Sequence, residues 1–592
     1  MVVDTFLTLI EGLYAHLPLK KAMYGTDPAQ RLRLLRQRSP GLDDVAFHYE
    51  LADIVTDLRD AHTRYAGPAA LAGHAAMLPF LVEGFGAGRE RRYIVSKVVS
   101  DRSLVADARF DAGVELRWWN GVPIDRAVDL HAERETGGRP DARRARALQS
   151  LTIRALQYGP PPDEHWVVVG YVDADGAERE VRIDWRVVRP RRPRTSGVPT
   201  GPAGLARAID PGAEVARQVK KLLFVPERWL ADQHPAPKRR TARPGAEGEW
   251  LETSHPDVVA AKEVATPSGR FGYLRLWSFD VADDAAFVDE VVRLLALLPP
   301  DGLIIDLRAN PGGLIWAAER LLQLFTPRPV VPTRFSVLAT ALTRAMANAP
   351  QNEGLLAPWR QSLLEAVATG EPYSQAVPIT PLERCNDVGQ VYGGPVVAVV
   401  DANTYSSGDL FAAGFFDNGL GSLVTVGDAT GAGGANVWAT EQVNEALAAT
   451  SFSLPTLPAG IGYTIAVRRA TRAGGADGLA IEDVGVRGHR SYAMTKKDLV
   501  DGNIDLLAFC AKLLTGQPRS GLNVEPAADG ASLSVTTRGL DRLDIFVDAH
   551  PHGSVPLRKG SSVLGMPKTW STAELVGYQN DELRQRRRLH RT

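Results

Sequence analysis

Residues 394–419 read GPVVAVVDANTYSSGDLFAAGFFDNG. The first part, through Ala402, is a short apolar run of the kind a fully buried strand shows. The second part switches to apolar residues at helical spacing. A buried strand that runs straight into a helix is the repeating unit of a largely parallel sheet packed with helices. Two serines, Ser406 and Ser407, stand at the join. SSGD has the Ser-x-x-Asp form of a helix capping box, which needs no chemistry. A serine on a sharp strand-to-helix turn also points its hydroxyl outward, beside free N–H donors. Both roles can coexist on one residue.

The flanking sequence repeats the pattern. RFGYLRLWSF at 270–279 is strand-like and DDAAFVDEVVRLLALL at 283–298 helical. GLIIDLR at 302–308 and LIWAAERLLQLF at 314–325 follow in the same order. The expectation for 266–515 is therefore an α/β unit with a largely parallel sheet. Residues 1–90 read as helical and 91–190 as short strands, with turns at Asn120-Gly121 and Asp175-Gly176. Residues 191–265 are rich in Pro, Gly and Arg and read as linker or surface insertion. From 516 to 592 the pattern returns to short strands, ending in a basic tail.

At 592 residues the chain is too long for one core. A formal net charge of −1 argues against a general polyanion-binding role. Two cysteines, Cys385 and Cys510, are too few for a disulfide framework or a cysteine-based zinc site. The first residues mix acids with apolar positions and read as an amphipathic helix, not a signal peptide. No apolar run is long enough to span a membrane, so a cytoplasmic location is expected, with export by another route left open.

Two glycine-rich loops follow strands of the α/β unit: DLRANPGG at 306–313 and GDATGAGGAN at 427–436. The first lacks the spacing of a phosphate-binding or dinucleotide loop. Glycines after a strand make tight turns, and they also let backbone N–H groups face a developing oxyanion. A serine nucleophile needs a base. No lysine occurs between Glu263 and Met494, which excludes a Ser–Lys dyad built within this unit. No histidine occurs between Pro256 and Gly488, so the base is His489 at the edge or comes from outside. Among upstream histidines, His62 in RDAHT lies past a helix end, where a loop can carry it into a cleft. GLAIEDVGVRGH offers Glu482 and Asp483 as acids to hold the imidazole.

Together these segments resemble the tail-specific, or C-terminal-processing, serine peptidase family. GLIIDLRANPGG is similar to its oxyanion-hole segment, and the stretch from Asn403 to Gly434 to its nucleophile segment and following loop. The family pattern Ser-x-Ser-Glu puts the nucleophile three residues before the acid; Asp409 holds the acid position, which assigns Ser406. Bacterial processing peptidases carry a lysine about twenty-five residues later, where this chain has TGAGGAN and Gly433. The branch of the tricorn core protease and the chlamydial protease-like activity factor uses Ser, His and an acid instead. LRDAHTRY and LAIEDVGV resemble that branch's histidine and glutamate segments. The resemblance implies a triad of Ser406, His62 and Glu482, with an oxyanion hole at Ser407 and Gly312 or Gly313. It also implies a crotonase-like (ClpP-like) α/β sandwich, a PDZ-like module around ELRWWNGVPIDRAV, and no metal or organic cofactor.

The function expected is serine endopeptidase. The alternative is a non-catalytic peptide- or ligand-binding protein that keeps the fold; an esterase using the same triad is a third reading. The partners expected are a protein or peptide substrate and, in a homo-oligomer, further copies of the chain. Neither nucleic acid nor membrane insertion is expected.

Overall fold

The computed structural model describes residues 1–67, 69–190, 206–224, 248–526, 532–557 and 560–591. Its centre is a six-stranded sheet in the order Val259–Thr266, Gly269–Leu276, Leu303–Asp306, Val396–Asp401, Ser422–Val426, Arg490–Tyr492. The first pair is antiparallel and the other four pairings are parallel. Side chains alternate between faces along a strand. Leu303, Ile305, Ala398 and Val400 pack with the helices Asp284–Leu297, Ile315–Leu322 and Ser407–Asp417. Ile304, Val397, Val399 and Val424 pack with the helix Ile504–Thr515. Burial on both faces explains why these strands read as continuous apolar runs.

A second, antiparallel sheet is built on the strand Gly462–Thr471, paired with Arg64–Ala66, Arg334–Val337 and Ala435–Ala439. Arg64 stands opposite Thr464 in this ladder. The pairing ties the N-terminal region to the α/β unit across 400 residues of sequence. The helices Val2–Gly12, Pro28–Arg38 and Asp44–Thr56 share the main core through Phe6, Leu9, Leu32, Leu35, Leu51 and Ile54. No single helix among the described residues is long and apolar enough to cross a membrane.

The reading of 1–90 as helical needs correction. The helices end at Thr56, and the strands Arg64–Ala66, Ala75–Met77 and Phe80–Phe85 follow. Phe80–Phe85 begins an antiparallel sheet with Arg92–Val98, Glu115–Trp119, Trp166–Val172 and Glu178–Asp184. Its core is Phe80, Val95, Phe110, Leu116, Val169 and Tyr171, closed by Val128 and Ala147 of two helices. Asn120 and Gly121 both adopt positive φ, 47° and 76°, as a tight turn of mirror-image type requires.

The linker reading of 191–265 is corrected in part. Arg207–Ile209 is a strand, Pro211–Phe224 a helix, and Val259 already opens the central sheet. The stretches 191–205 and 225–247 of that reading lie outside the described residues. Beyond the helix ending at Thr515, a three-stranded and a four-stranded sheet share one core, with Leu533, Val535 and Leu564 against Leu543, Ile545 and Leu575. That arrangement is a small β-sandwich.

Candidate active site

The strand Val396–Asp401 ends in a turn held from within. The Asp401 N–H donates to Thr404 Oγ1 at 3.0 Å, and Thr404 Oγ1 donates to the Leu307 carbonyl at 3.0 Å. Ser406 follows at φ 66° and ψ −123°, a strained conformation for a residue with a side chain. The helix Ser407–Asp417 starts directly after it. This is the strand-turn-helix elbow that presents a serine hydroxyl away from its own backbone. The Asp409 carboxylate reaches back to the Ser406 N–H at 2.8 Å, so half of the capping box is used. The Ser406 hydroxyl instead lies 2.6 Å from His62 Nε2. Ser407 faces elsewhere: its hydroxyl is 3.0 Å from the carbonyls of Ala208 and Gly313.

His62 sits in the turn between the helix Asp44–Thr56 and the strand Arg64–Ala66. Thr464 Oγ1 holds its carbonyl at 2.8 Å, and the Tyr405 ring packs against its imidazole at 4.7 Å. Asp60 organises the turn by accepting the His62 N–H at 2.8 Å and the Thr63 hydroxyl at 2.9 Å. The Asp60 carboxylate also lies 3.9 Å from His62 Nδ1, which has no hydrogen-bond partner among the described residues. Both side chains are fully buried. Burial lowers the His62 pKa to about 4 despite the attraction of Asp60, so the imidazole is neutral at pH 7. Burial opposes the Asp60 charge, but His16, His62 and Lys20 outweigh it and hold that carboxyl below its usual range.

Glu482, which the resemblance implied as the acid of the triad, is bonded to Lys20 and Gly434. One carboxylate oxygen accepts Lys20 Nζ at 2.6 Å and the other accepts the Gly434 N–H at 3.1 Å. No hydrogen bond or ion pair joins it to His62 among the described residues. Lys20 also donates to Asp483 Oδ1 at 2.7 Å, and Tyr24 donates to the same oxygen at 3.0 Å. Burial disfavours the Lys20 cation, yet Glu482, Asp483 and Asp60 together raise its pKa above the ordinary value. His16, Asp60 and Glu482 bring ligand-type atoms within 4.8 Å of one another. A metal is a poor fit there, because the Lys20 ammonium already supplies the positive charge. Asp60 is thus the carboxylate with a contact to the imidazole, at 3.9 Å, and Glu482 meets Lys20 and Gly434 instead.

The glycine loops serve the site by letting chains approach closely. A Cβ on Gly312 would lie 2.6 Å from Ser406 Cβ, and one on Gly434 2.5 Å from the Glu482 nitrogen. Gly312 has φ 102° and Gly313 φ 148°, which favour glycine. The Gly312 N–H is engaged by Asn310 Oδ1 at 2.9 Å, while Gly313 stands opposite Ala208 in a ladder with the strand Arg207–Ile209. That strand packs against the start of the helix Ser407–Asp417 through the Ala208 carbonyl, and Ser406 is 0% exposed. His489 is remote from this chemistry, stacked on Phe416 at 4.3 Å with Nδ1 accepting the Leu423 N–H.

Sequence reasoning missed Asp60, Lys20, His16 and the strand Arg207–Ile209. Asp60 had a signal, an acid two residues before the histidine, where its carboxylate can cap the turn. Lys20 and His16 lie on or beside the short helix Leu17–Tyr24 and carry no local signature.

Residues 270–462 match the family profile of peptidase family S41, and residues 74–192 match that of a PDZ domain. No curated protein sequence gives a significant match. Among solved structures, mature CPAF superposes with a TM-score of 0.60 at 17% identity, over 87% of this chain and 96% of that one. Mature CPAF complexed with lactacystin gives 0.59 at 16% identity, over 87% and 98%. The tricorn protease is also similar, at a TM-score of 0.33 and 12% identity, over 86% of this chain and 36% of that one. The chain therefore carries a peptidase domain of family S41 joined to a PDZ domain, on a fold shared with CPAF.

Proposed function

We propose that this peptidase is a serine endopeptidase in which Ser406 is the nucleophile, His62 its general base and Asp60 the acid that supports the imidazole. The observation that carries the reading is the 2.6 Å approach of His62 Nε2 to a serine held at positive φ on a strand-to-helix turn. A neutral His62 takes the Ser406 proton as the oxygen attacks a peptide carbonyl. The buried Asp60 carboxylate then stabilises the imidazolium that forms. Ser407 opens the helix, where first-turn N–H groups have no intrahelical acceptor, and its N–H is suited to the developing oxyanion. Gly313 supplies the second donor once its strand edge is free. The imidazolium returns its proton to the leaving amine, and water admitted to the site cleaves the acyl-enzyme.

Glu482, Lys20 and Asp483 act from behind, by fixing the glycine loop at Gly434 and the charge around Asp60. The reading requires the strand Arg207–Ile209 to leave the edge Gly312–Leu314 when a substrate enters. Incubation with an unfolded protein substrate tests it: the wild type releases peptides and Ser406→Ala releases none. Equal release from both proteins would overturn it.

A further inference from the structure

A cavity of about 90 Å³ lies between the helices Pro140–Ser150 and Pro211–Phe224, and Arg146 of its lining reaches the Tyr405 ring next to Ser406. Its lining carries four arginines, Arg64, Arg134, Arg146 and Arg154, against two acids, Glu135 and Asp210. Arg134 is paired outside with Asp163. Arg64 donates only to neutral acceptors, the Thr136 hydroxyl at 2.9 Å and the Tyr158 carbonyl. Arg154 likewise donates to the carbonyls of Ser150 at 3.1 Å and Pro161 at 3.2 Å. Neither has an ion-pair partner among the described residues. Glu135 accepts the Ser150 hydroxyl, and burial raises its pKa. Arg146 stacks over the Tyr405 ring at 4.5 Å, and its Nε is buried without a partner. Its side chain is only 10% exposed. Buried cations that outnumber their counter-charges are costly unless something negative completes the site.

The chain itself shows what kind of group reaches Arg146. Ile209 stands opposite Gly312 and Ala208 opposite Gly313. Asp210 extends the ladder, its N–H donating to the Pro311 carbonyl at 3.0 Å. The Asp210 carboxylate then bonds the Arg146 guanidinium. An extended substrate peptide added to the same strand edge places a side chain at the same point. We propose, on the basis of the peptidase reading above, that Arg146, backed by Arg64 and Arg154, forms a subsite for an aspartate or glutamate side chain of the substrate, at the position Asp210 now fills. The guanidinium fork matches a carboxylate and discriminates against the amide of the same shape.

The test uses the full chain, with fluorophosphonate labelling of Ser406 as the readout of site occupancy. The probes are the peptide Ala-Arg-Ala-Ile-Asp-Pro-Gly-Ala, the sequence of residues 206–213, and its Asn counterpart at the fifth position. The Asp peptide is expected to protect Ser406 at roughly ten- to hundred-fold lower concentration, the range for a hydrogen bond to a charged group. Arg146→Gln is expected to close that gap, and Arg146→Lys, the fallback should the glutamine variant not fold, to narrow it. Equal protection by both peptides in the wild type, or a full gap that survives in Arg146→Gln, overturns the subsite while leaving the peptidase reading intact. Should the strand Arg207–Ile209 keep the wild type from being labelled, the same comparison is made in Ala208→Pro, whose missing N–H weakens that strand's ladder. No labelling of Ser406 in either protein, with both folded by thermal melting, overturns the peptidase reading and the subsite with it.

Discussion

His62 and Ser406 are 344 residues apart in sequence and 2.6 Å apart in space. The contact depends on the strand Arg64–Ala66, which locks the histidine turn onto Gly462–Thr471. A histidine and a serine brought together by separate elements, with the serine at positive φ, have the arrangement that the proposed nucleophile–base pair requires. A fluorophosphonate probe is therefore expected to label the protein once the edge Gly312–Leu314 is accessible. Ser406→Ala abolishes labelling and Ser407→Ala retains it, because alanine keeps the Ser407 N–H. Undiminished labelling of folded Ser406→Ala would end the nucleophile assignment.

The supporting acid is the next test. Asp60 Oδ1 lies 3.9 Å from His62 Nδ1, whereas both oxygens of Glu482 are engaged by Lys20 and Gly434. Asp60→Asn is expected to lower turnover by roughly two to four orders of magnitude, by analogy with the same change in a Ser-His-Asp triad. Glu482→Gln is expected to lower it less and to reduce thermal stability, since Lys20 loses a charged partner. Rates and melting curves for the two variants, taken side by side, decide between them. A larger catalytic loss at Glu482 than at Asp60 reverses the assignment.

The nucleophile elbow and the parallel sheet were legible because their signals are local: an apolar strand, a serine pair and a helix within 26 residues. The absence of histidine between Pro256 and Gly488 left His489 and the upstream histidines open, and the resemblance of LRDAHTRY pointed to His62, which lies 2.6 Å from the Ser406 hydroxyl. The resemblance pointed to Glu482 as the acid, whereas the carboxylate that lies 3.9 Å from His62 Nδ1 is that of Asp60, a proximity that only three-dimensional distances report. The strand Arg207–Ile209 was hidden in Pro- and Arg-rich sequence. Its stability comes from pairing with Gly312–Leu314, a long-range contact that propensity does not report.

Gly433 stands near the place where bacterial relatives of the resembled family carry a lysine. Its surroundings show why a side chain does not fit. A Cβ there would lie 2.3 Å from Tyr405 Cζ and 2.4 Å from Cε1. The Tyr405 ring also packs on His62 and beneath Arg146, so it has little freedom to move aside. Gly433→Ala is expected to destabilise the protein by roughly 1–3 kcal/mol through overpacking. In combination with Tyr405→Ala that cost should largely vanish, although Tyr405→Ala carries its own cavity cost. Strictly additive costs in a denaturant double-mutant cycle would show that the collision is not the cause.

Buried neutral His62 also predicts how stability responds to acid. Its pKa falls from an unfolded value of 6.5 to about 4 in the native protein. Between those values the unfolded chain binds a proton at this residue that the native state does not. Its contribution is complete above pH 6.5 and is lost as the pH falls toward 4. The loss amounts to roughly 3 kcal/mol at 1.36 kcal/mol per pKa unit. Asp409 and Glu319 act in the opposite sense, because burial raises each to about 7 and so favours the native state as the pH falls. The net profile of the wild type mixes these effects, and a difference measurement cancels those that the variant shares, leaving His62 with any change it causes at Asp60. His62→Gln removes the titrating group and leaves the two carboxyls in place. Unfolding free energies of wild type and variant, measured in urea between pH 7.5 and pH 4, are expected to shift against each other by roughly 3 kcal/mol, with the wild type losing ground at low pH. A difference that stays constant across that range means that His62 is not held neutral by burial, and the readiness of its Nε2 to accept the Ser406 proton then needs another source.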